Sequence, residues 1–347
     1  MLKLMTSTTA ILAGFAAAVA MAAPVAAQQK VPVKFTLDWK YQGIHSWYLL
    51  AQKKGYFAAE GLDVTVDQGE GSAATVTRIM AGTYDAGFGD MTAIIQNAVT
   101  RPADAPVMVY MIYNQPPFAV MALPSSNIKS PKDLAGKKLG SPAGAAAHRL
   151  LPLMTKSAGV DASKIEMLNM APNLQEQMLF QKQVDASLVF NVTAYMNVAS
   201  MGRDPEKDVT WMRYGDHGVS VYSNGVMVSQ KLIKERPAAV GGLVRAINKA
   251  LQESVADPDA AIKVLTETEP LIKGDIEKQR LIYAMKTVVL SPEQAEIGIG
   301  DIKDVRMQKA IEQIAEVFEL KSKPEVTAVF NRSFLPAIAE RKLKVAF

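Results

Sequence analysis

Four consecutive stretches decide the fold: VPVKFTL (Val31–Leu37), DWKYQGIH (Asp38–His45), SWYLLAQKKG (Ser46–Gly55) and YFAAEGLDVTV (Tyr56–Val66). In the first, apolar residues alternate with others at the period of a strand. Apolar spacing then predicts a helix over His45–Gly55, closed by its glycine. Leu62–Val66 alternates again and reads as the next strand. Strand, helix and strand in this order argue for an α/β layer.

The same alternation continues outward. Gly69-Glu70-Gly71-Ser72 is a turn that feeds a predicted helix over Ala73–Ala81. A strand at Asp85–Phe88, a helix at Met91–Val99 and a strand at Val107–Ile112 follow. Farther on come a strand end at Lys138–Gly140, a helix through His148 and Leu153, a strand at Ile165–Leu168, a helix at Leu174–Phe180 and a strand at Val184–Val189. Asp85-Ala86 recurs as Asp185-Ala186, Thr92-Ala93 as Thr193-Ala194 and His45 as His148, all at nearly constant offset. Two doubly wound lobes of like topology are therefore expected. Beyond Val226 the chain reads as helical (Pro237–Ala256, Pro258–Thr266, Ile276–Val289, Met307–Phe318, Lys323–Phe330), too poor in strands to build a sheet, so it returns to cover the first lobe. The expected division is 28–120 with 226–347 in one lobe and 121–225 in the other. Phe118–Leu123 and Tyr222–Val228 would be the two crossings of a hinge, with a cleft between the lobes. A two-domain enzyme with a helical tail is the alternative that periodicity leaves open.

Composition narrows the chemistry. The 347 residues include no cysteine and three histidines, His45, His148 and His217. Disulfide scaffolds, thiolate catalysis, iron–sulfur clusters and Cys-ligated zinc are excluded. With 38 basic and 34 acidic residues the net charge is +4, and no Lys/Arg block stands out, so nucleic acid is not an expected partner. Lys3, the apolar run Ala10–Met21 and the small residues Val25-Ala26-Ala27 have the build of a secretory signal, with cleavage before Gln28. An exported, periplasmic, monomeric protein without cofactor or metal is expected.

Ligands of doubly wound sheets bind where strand ends feed into helices. The first such loop offers Trp39 and Tyr41 as flat faces, Gln42 as a polar contact and His45 as a donor, whereas Trp47 and Tyr48 read as core. Gly71 and Ser72 offer free N–H groups and a hydroxyl at a helix start, although a plain capping turn needs no ligand. Ser141 repeats that logic in the second lobe. Asp90 and Asn191 each stand just past an Asp-Ala strand, as helix caps or as ligand contacts, and Asn224 lies on the second crossing. No Gly-x-Gly-x-x-Gly, Gly-x-Ser-x-Gly or His-Glu-x-x-His pattern occurs, and no catalytic residue is assigned.

The phrase Lys54-Gly-Tyr-Phe-x-x-Glu-Gly-Leu-Asp-Val64, the loop Trp39…His45, the turn Gly69-Glu70-Gly71-Ser72 and the segment Ser130–Gly140 closely resemble one family. It comprises the periplasmic substrate-binding proteins of ABC importers, in the branch that serves thiamine-pyrimidine precursors, nitrate, taurine and alkanesulfonates (NMT1/THI5-like and SsuA-like). The resemblance spans about residues 31–230. It implies a type II binding-protein fold that closes on a small molecule and hands it to permease subunits. Pyrimidine-precursor binders show Trp-x-Pro-Asn-x-x-His in the first loop; here Tyr41 and Gln42 replace the Pro and Asn. Fungal relatives are pyrimidine-synthesising enzymes with a cysteine-rich motif, which this chain lacks. Sulfonate binders hold their anion near the place of Ser141. On the residues alone, a planar aromatic or heteroaromatic ligand, pyrimidine-like or an aromatic acid, is expected over taurine or nitrate; an alkanesulfonate or nitrate-type anion and a secreted enzyme are the alternatives.

Overall fold

The computed structural model describes residues 29–345 and residue 347; the signal segment expected over residues 1–27 lies outside the described residues. The molecule is α/β, built on two five-stranded sheets. The first contains β1 (Val31–Thr36), β2 (Leu62–Asp67), β3 (Ala86–Asp90), β4 (Val107–Met111) and β10 (Asn224–Val228), in the order β2-β1-β3-β10-β4. The second contains β5 (Phe118–Ala122), β6 (Lys138–Ser141), β7 (Glu166–Asn169), β8 (Ala186–Phe190) and β9 (Thr210–Arg213), in the order β7-β6-β8-β5-β9. Each sheet is parallel except for one inserted strand, β10 or β5, that runs antiparallel to both neighbours. The two orders are the same plan.

Local chemistry explains the correspondence. In β1, Val33 and Phe35 are buried while Pro32 and Lys34 face solvent, as the alternation requires. The Asp85 carboxylate accepts the backbone N–H of Lys34 at 2.8 Å, and Asp185 accepts that of Lys138 at 2.8 Å. The repeated Asp-Ala pair thus ties β3 to β1 in the first sheet and β8 to β6 in the second. Trp47 and Tyr48, on the helix Ser46–Lys53, are fully buried in the core over the first sheet.

The chain leaves the first sheet after Met111 and enters the second at Phe118; it leaves the second after Arg213 and returns at Asn224. The crossings are therefore residues 112–117 and 214–223. Phe118–Leu123 and Tyr222–Val228, expected to cross, are instead largely the buried inner strands Phe118–Ala122 and Asn224–Val228. Their continuous apolar character suits a strand covered on both faces. The crossing falls on Asn114-Gln115-Pro116-Pro117, where two residues lack the N–H a ladder needs.

The C-terminal helices divide their attention. Helices Pro237–Ala256 and Pro258–Thr268 pack on Ser46–Lys53 beside the first sheet. Helix Asp304–Val317 touches Met91–Thr100 and Leu151–Ser157, so it leans on both halves. Helix Gly274–Ala284 runs into a π-helical turn, Met285–Val289, whose Val288 carbonyl accepts the N–H of Gln115 on one crossing at 2.9 Å. Among the described residues, no helix is long and apolar enough to cross a membrane.

Candidate functional site

The carboxyl ends of the parallel strands of both sheets point at one another, and a narrow cavity, with about 40 Å³ open to water, lies between them. From the first sheet come Asp38 and Trp39 just beyond β1, Gly71 and Ser72 beyond β2, Phe88 on β3 and Tyr113 beyond β4. From the second come Ala145–Ala147 beyond β6, Gln175 and Glu176 beyond β7, Leu188–Phe190 at the end of β8, and Thr193 and Ala194 on the helix that follows. The alanines leave room on one wall while Phe88, Tyr113 and Phe190 make the others apolar.

Two carboxylates set the polarity. Asp38 is buried; its Oδ2 accepts from Asn224 Nδ2 at 2.6 Å and from the Ser72 hydroxyl at 3.4 Å. Glu176 is also buried, and its Oε1 accepts from Asn197 Nδ2 at 2.9 Å. Burial raises the Glu176 pKa above the ordinary carboxylate value, opposed by the Asn197 hydrogen bond. The Tyr113 hydroxyl is buried without a hydrogen-bond partner among the described residues, and desolvation pushes its pKa well above the usual phenol value. Among the described residues no Lys, Arg or His lines the cavity. The lining is thus rich in acceptors and, among the described residues, carries no cation.

Of the residues singled out from sequence, Trp39, Gly71 and Ser72 line the cavity. Gly71 has φ +116°, and a Cβ there would come within 3.0 Å of the Gly144 carbonyl oxygen in the opposite half, so the lobes meet here on bare backbone. The remaining seven lie elsewhere. The Tyr41 hydroxyl donates to the Val66 carbonyl at 2.8 Å on the far side of β2. Gln42 Oε1 accepts from the Thr193 hydroxyl at 3.1 Å and so bridges the halves beside the cavity. His45 is fully buried behind Asp38, with Nε2 3.5 Å from Asp38 Oδ1 and its ring edge-on to Phe88.

Asp90 caps the helix Met91–Thr100, accepting from the Thr92 N–H at 3.0 Å, the Thr92 hydroxyl and the Ser223 hydroxyl. This is the capping role that a strand-end acid commonly plays. The Ser141 hydroxyl donates to the Leu188 carbonyl at 3.1 Å. Asn191 begins the helix Asn191–Ser200, and its N–H is taken by the Pro117 carbonyl at 2.8 Å. Asn224 acts from behind, through Asp38. Sequence reading missed Asp38 itself, adjacent to Trp39 in the quoted loop, and Glu176, which looks like any acid in the first turn of a helix. Tyr113 carried the one usable signal, an aromatic residue immediately past a predicted strand.

Sequence comparison places this geometry. A family model described as NMT1/THI5 like matches residues 42–261, more than half of the chain. The chain belongs to the NMT1/THI5-like family. Among relatives of this NMT1/THI5-like protein, the formylaminopyrimidine-binding protein of Halalkalibacterium halodurans is 26% identical over 72% of this chain and 75% of its own. The riboflavin-binding protein RibY of Chloroflexus aurantiacus is 24% identical over 83% and 82%. The alkanesulfonate-binding protein SsuA of Xanthomonas axonopodis pv. citri, solved with MOPS, superposes with a TM-score of 0.65 at 15% identity, covering 88% of this chain and 99% of that one. The NMT1/THI5-like chain thus has the periplasmic binding-protein fold, and the relatives named here are binding proteins.

Proposed function

We propose that this protein is the extracytoplasmic binding component of an ABC importer and that its cavity takes a flat nitrogen heterocycle carrying amino N–H groups. The observation that carries this is the lining: two buried carboxylates and no cation. An anion held about 4 Å from a carboxylate would be repelled by roughly 4 kcal/mol at an effective dielectric near 20. An N–H donor to the same group makes a charge-assisted hydrogen bond that contributes about 1.5–3 kcal/mol. That asymmetry argues against taurine and nitrate, and equally against the aromatic acid that the sequence left open. Trp39, Phe88 and Phe190 supply flat apolar faces, with stacking worth about 0.5–1.5 kcal/mol beyond area burial. Two relatives are named for a formylaminopyrimidine and for riboflavin, both flat nitrogen heterocycles, which supports the same reading.

Titration of the protein with 4-aminopyrimidine, riboflavin, taurine and nitrate, followed by calorimetry, tests it. Saturable binding confined to the heterocycles is the expected outcome. Tight taurine or nitrate binding, with none of either heterocycle, would overturn the proposal.

A further inference from the structure

We infer that Arg280 is the clasp between the two lobes and that, through Asn197, it fixes the aim of the Glu176 carboxylate in the cavity. The second limb rests on the proposed function; the first does not. Arg280 sits on the helix Gly274–Ala284, in the C-terminal part that packs with the first sheet, and is 2% exposed. Its guanidinium forks onto Glu277 of the same helix, with Nε 2.8 Å from Oε2 and Nη2 3.1 Å from Oε1. The remaining donors leave that lobe. Nη1 donates to the carbonyls of Val192 and Thr193, and Nη2 to Asn197 Oδ1 at 3.1 Å, all on the helix Asn191–Ser200 of the other lobe.

Three details make this more than a surface bridge. Glu277 is itself anchored, because its Oε2 also accepts the Gly43 N–H at 2.6 Å in the loop that follows β1. Gly43 is the residue that permits the approach, since a Cβ there would lie 1.9 Å from the Glu277 carbonyl oxygen. On the far side, Asn197 uses its amide in both directions: Oδ1 accepts from Arg280 and Nδ2 donates to Glu176 Oε1 at 2.9 Å. One planar amide therefore connects a guanidinium of one lobe to a cavity acceptor of the other. Tyr283, one turn along from Arg280, stacks on Tyr195 with centroids 4.4 Å apart and adds an apolar contact to the same seam. Opening the lobes breaks the three donations to the second lobe at once and frees Asn197, so closure and the aim of Glu176 change together.

The chain has no cysteine, so two introduced thiols report on the seam alone. Gln96 and Arg149 hydrogen-bond across the lobes away from Arg280. In a Gln96→Cys, Arg149→Cys background, the rate of bridging by a short bis-maleimide reads how often the lobes meet. The pair Glu277→Gln with Arg280→Gln removes the clasp without leaving a buried charge unpaired. Bridging should slow at least fivefold with an unchanged circular dichroism spectrum; an unchanged rate overturns the clasp. Should that pair not fold, Arg280→Lys, which keeps a charge opposite Glu277 but not the fork, carries the same expectation. For the second limb, Asn197→Ala should reduce the preference for 4-aminopyrimidine over 4-methylpyrimidine at least fivefold, and a retained preference overturns the relay. If the wild type binds neither pyrimidine nor riboflavin, the proposed function fails and the bridging rate alone decides the clasp.

Discussion

Glu176 carries a consequence for pH that follows from its burial. Its pKa is raised, so above about pH 4.5, the ordinary value for Glu, the folded chain still holds a proton that the unfolded chain has released. Folding then binds protons, and stability falls as pH rises through this window, levelling off above the raised pKa. Replacing Glu176 with Gln removes that slope. Thermal midpoints of the two proteins between pH 4.5 and 7.5 should diverge in favour of the variant as pH rises; parallel curves would contradict the assignment. Trp39 gives a second expectation. Trp47 is fully buried in the core and Trp211 is tied to the Pro205 carbonyl, so ligand-induced change in tryptophan emission should come from Trp39. Trp39→Ala should abolish that signal and weaken binding about fivefold, the loss of roughly 1 kcal/mol of stacking, as read by calorimetry. At this scale the sequence was least informative. Strand ends mark where hydrogen-bonding groups can meet a ligand, yet His45, Ser141 and Asn224 are spent on burial and support, and Asp90 on the capping that its position also allowed. Asp38, the acid they surround, offers no local pattern to mark it.

Elements were easier to read, because each is set by short-range periodicity. The parallel strands β1, β2, β3, β4, β6, β7 and β8 and the helices flanking them follow from alternation and from glycines placed at helix ends, whereas Thr210–Arg213 carries no such signal. The crossings were displaced by one element because a buried antiparallel strand and an extended connector share the same apolar composition; only the prolines at 116 and 117 distinguish them. The close approach at Gly43 was invisible, since its cause lies on a helix more than two hundred residues away in the chain. Gly43→Ala would place a methyl 1.9 Å from the Glu277 carbonyl oxygen, forcing the first loop away from the helix Gly274–Ala284. A destabilisation of about 3 kcal/mol is expected, measurable as a lowered urea midpoint at constant m-value. A midpoint within experimental error of the wild type would show that the two backbones can separate freely.

For the whole molecule, the duplicated strand order and the facing carboxyl ends put one cavity between two sheets joined by two short passes. If the passes at 112–117 and 214–223 act as a hinge, saturating 4-aminopyrimidine should lower the radius of gyration in solution scattering, while taurine at the same concentration should leave the profile unchanged. Two-lobe organisation was legible because Asp-Ala and Thr-Ala landmarks recur in register with the fold. The cavity's charge was not, because it depends on which side chains of distant segments point inward. That charge carries the proposed function, in which a cavity lined by Asp38 and Glu176 with no cation would select a neutral or positively charged heterocycle. Its most direct test is mass spectrometry of the small molecule released when protein purified natively from its own cell is denatured. A flat nitrogen heterocycle with amino groups is the predicted result; a sulfonate, carboxylate or other anion would contradict it.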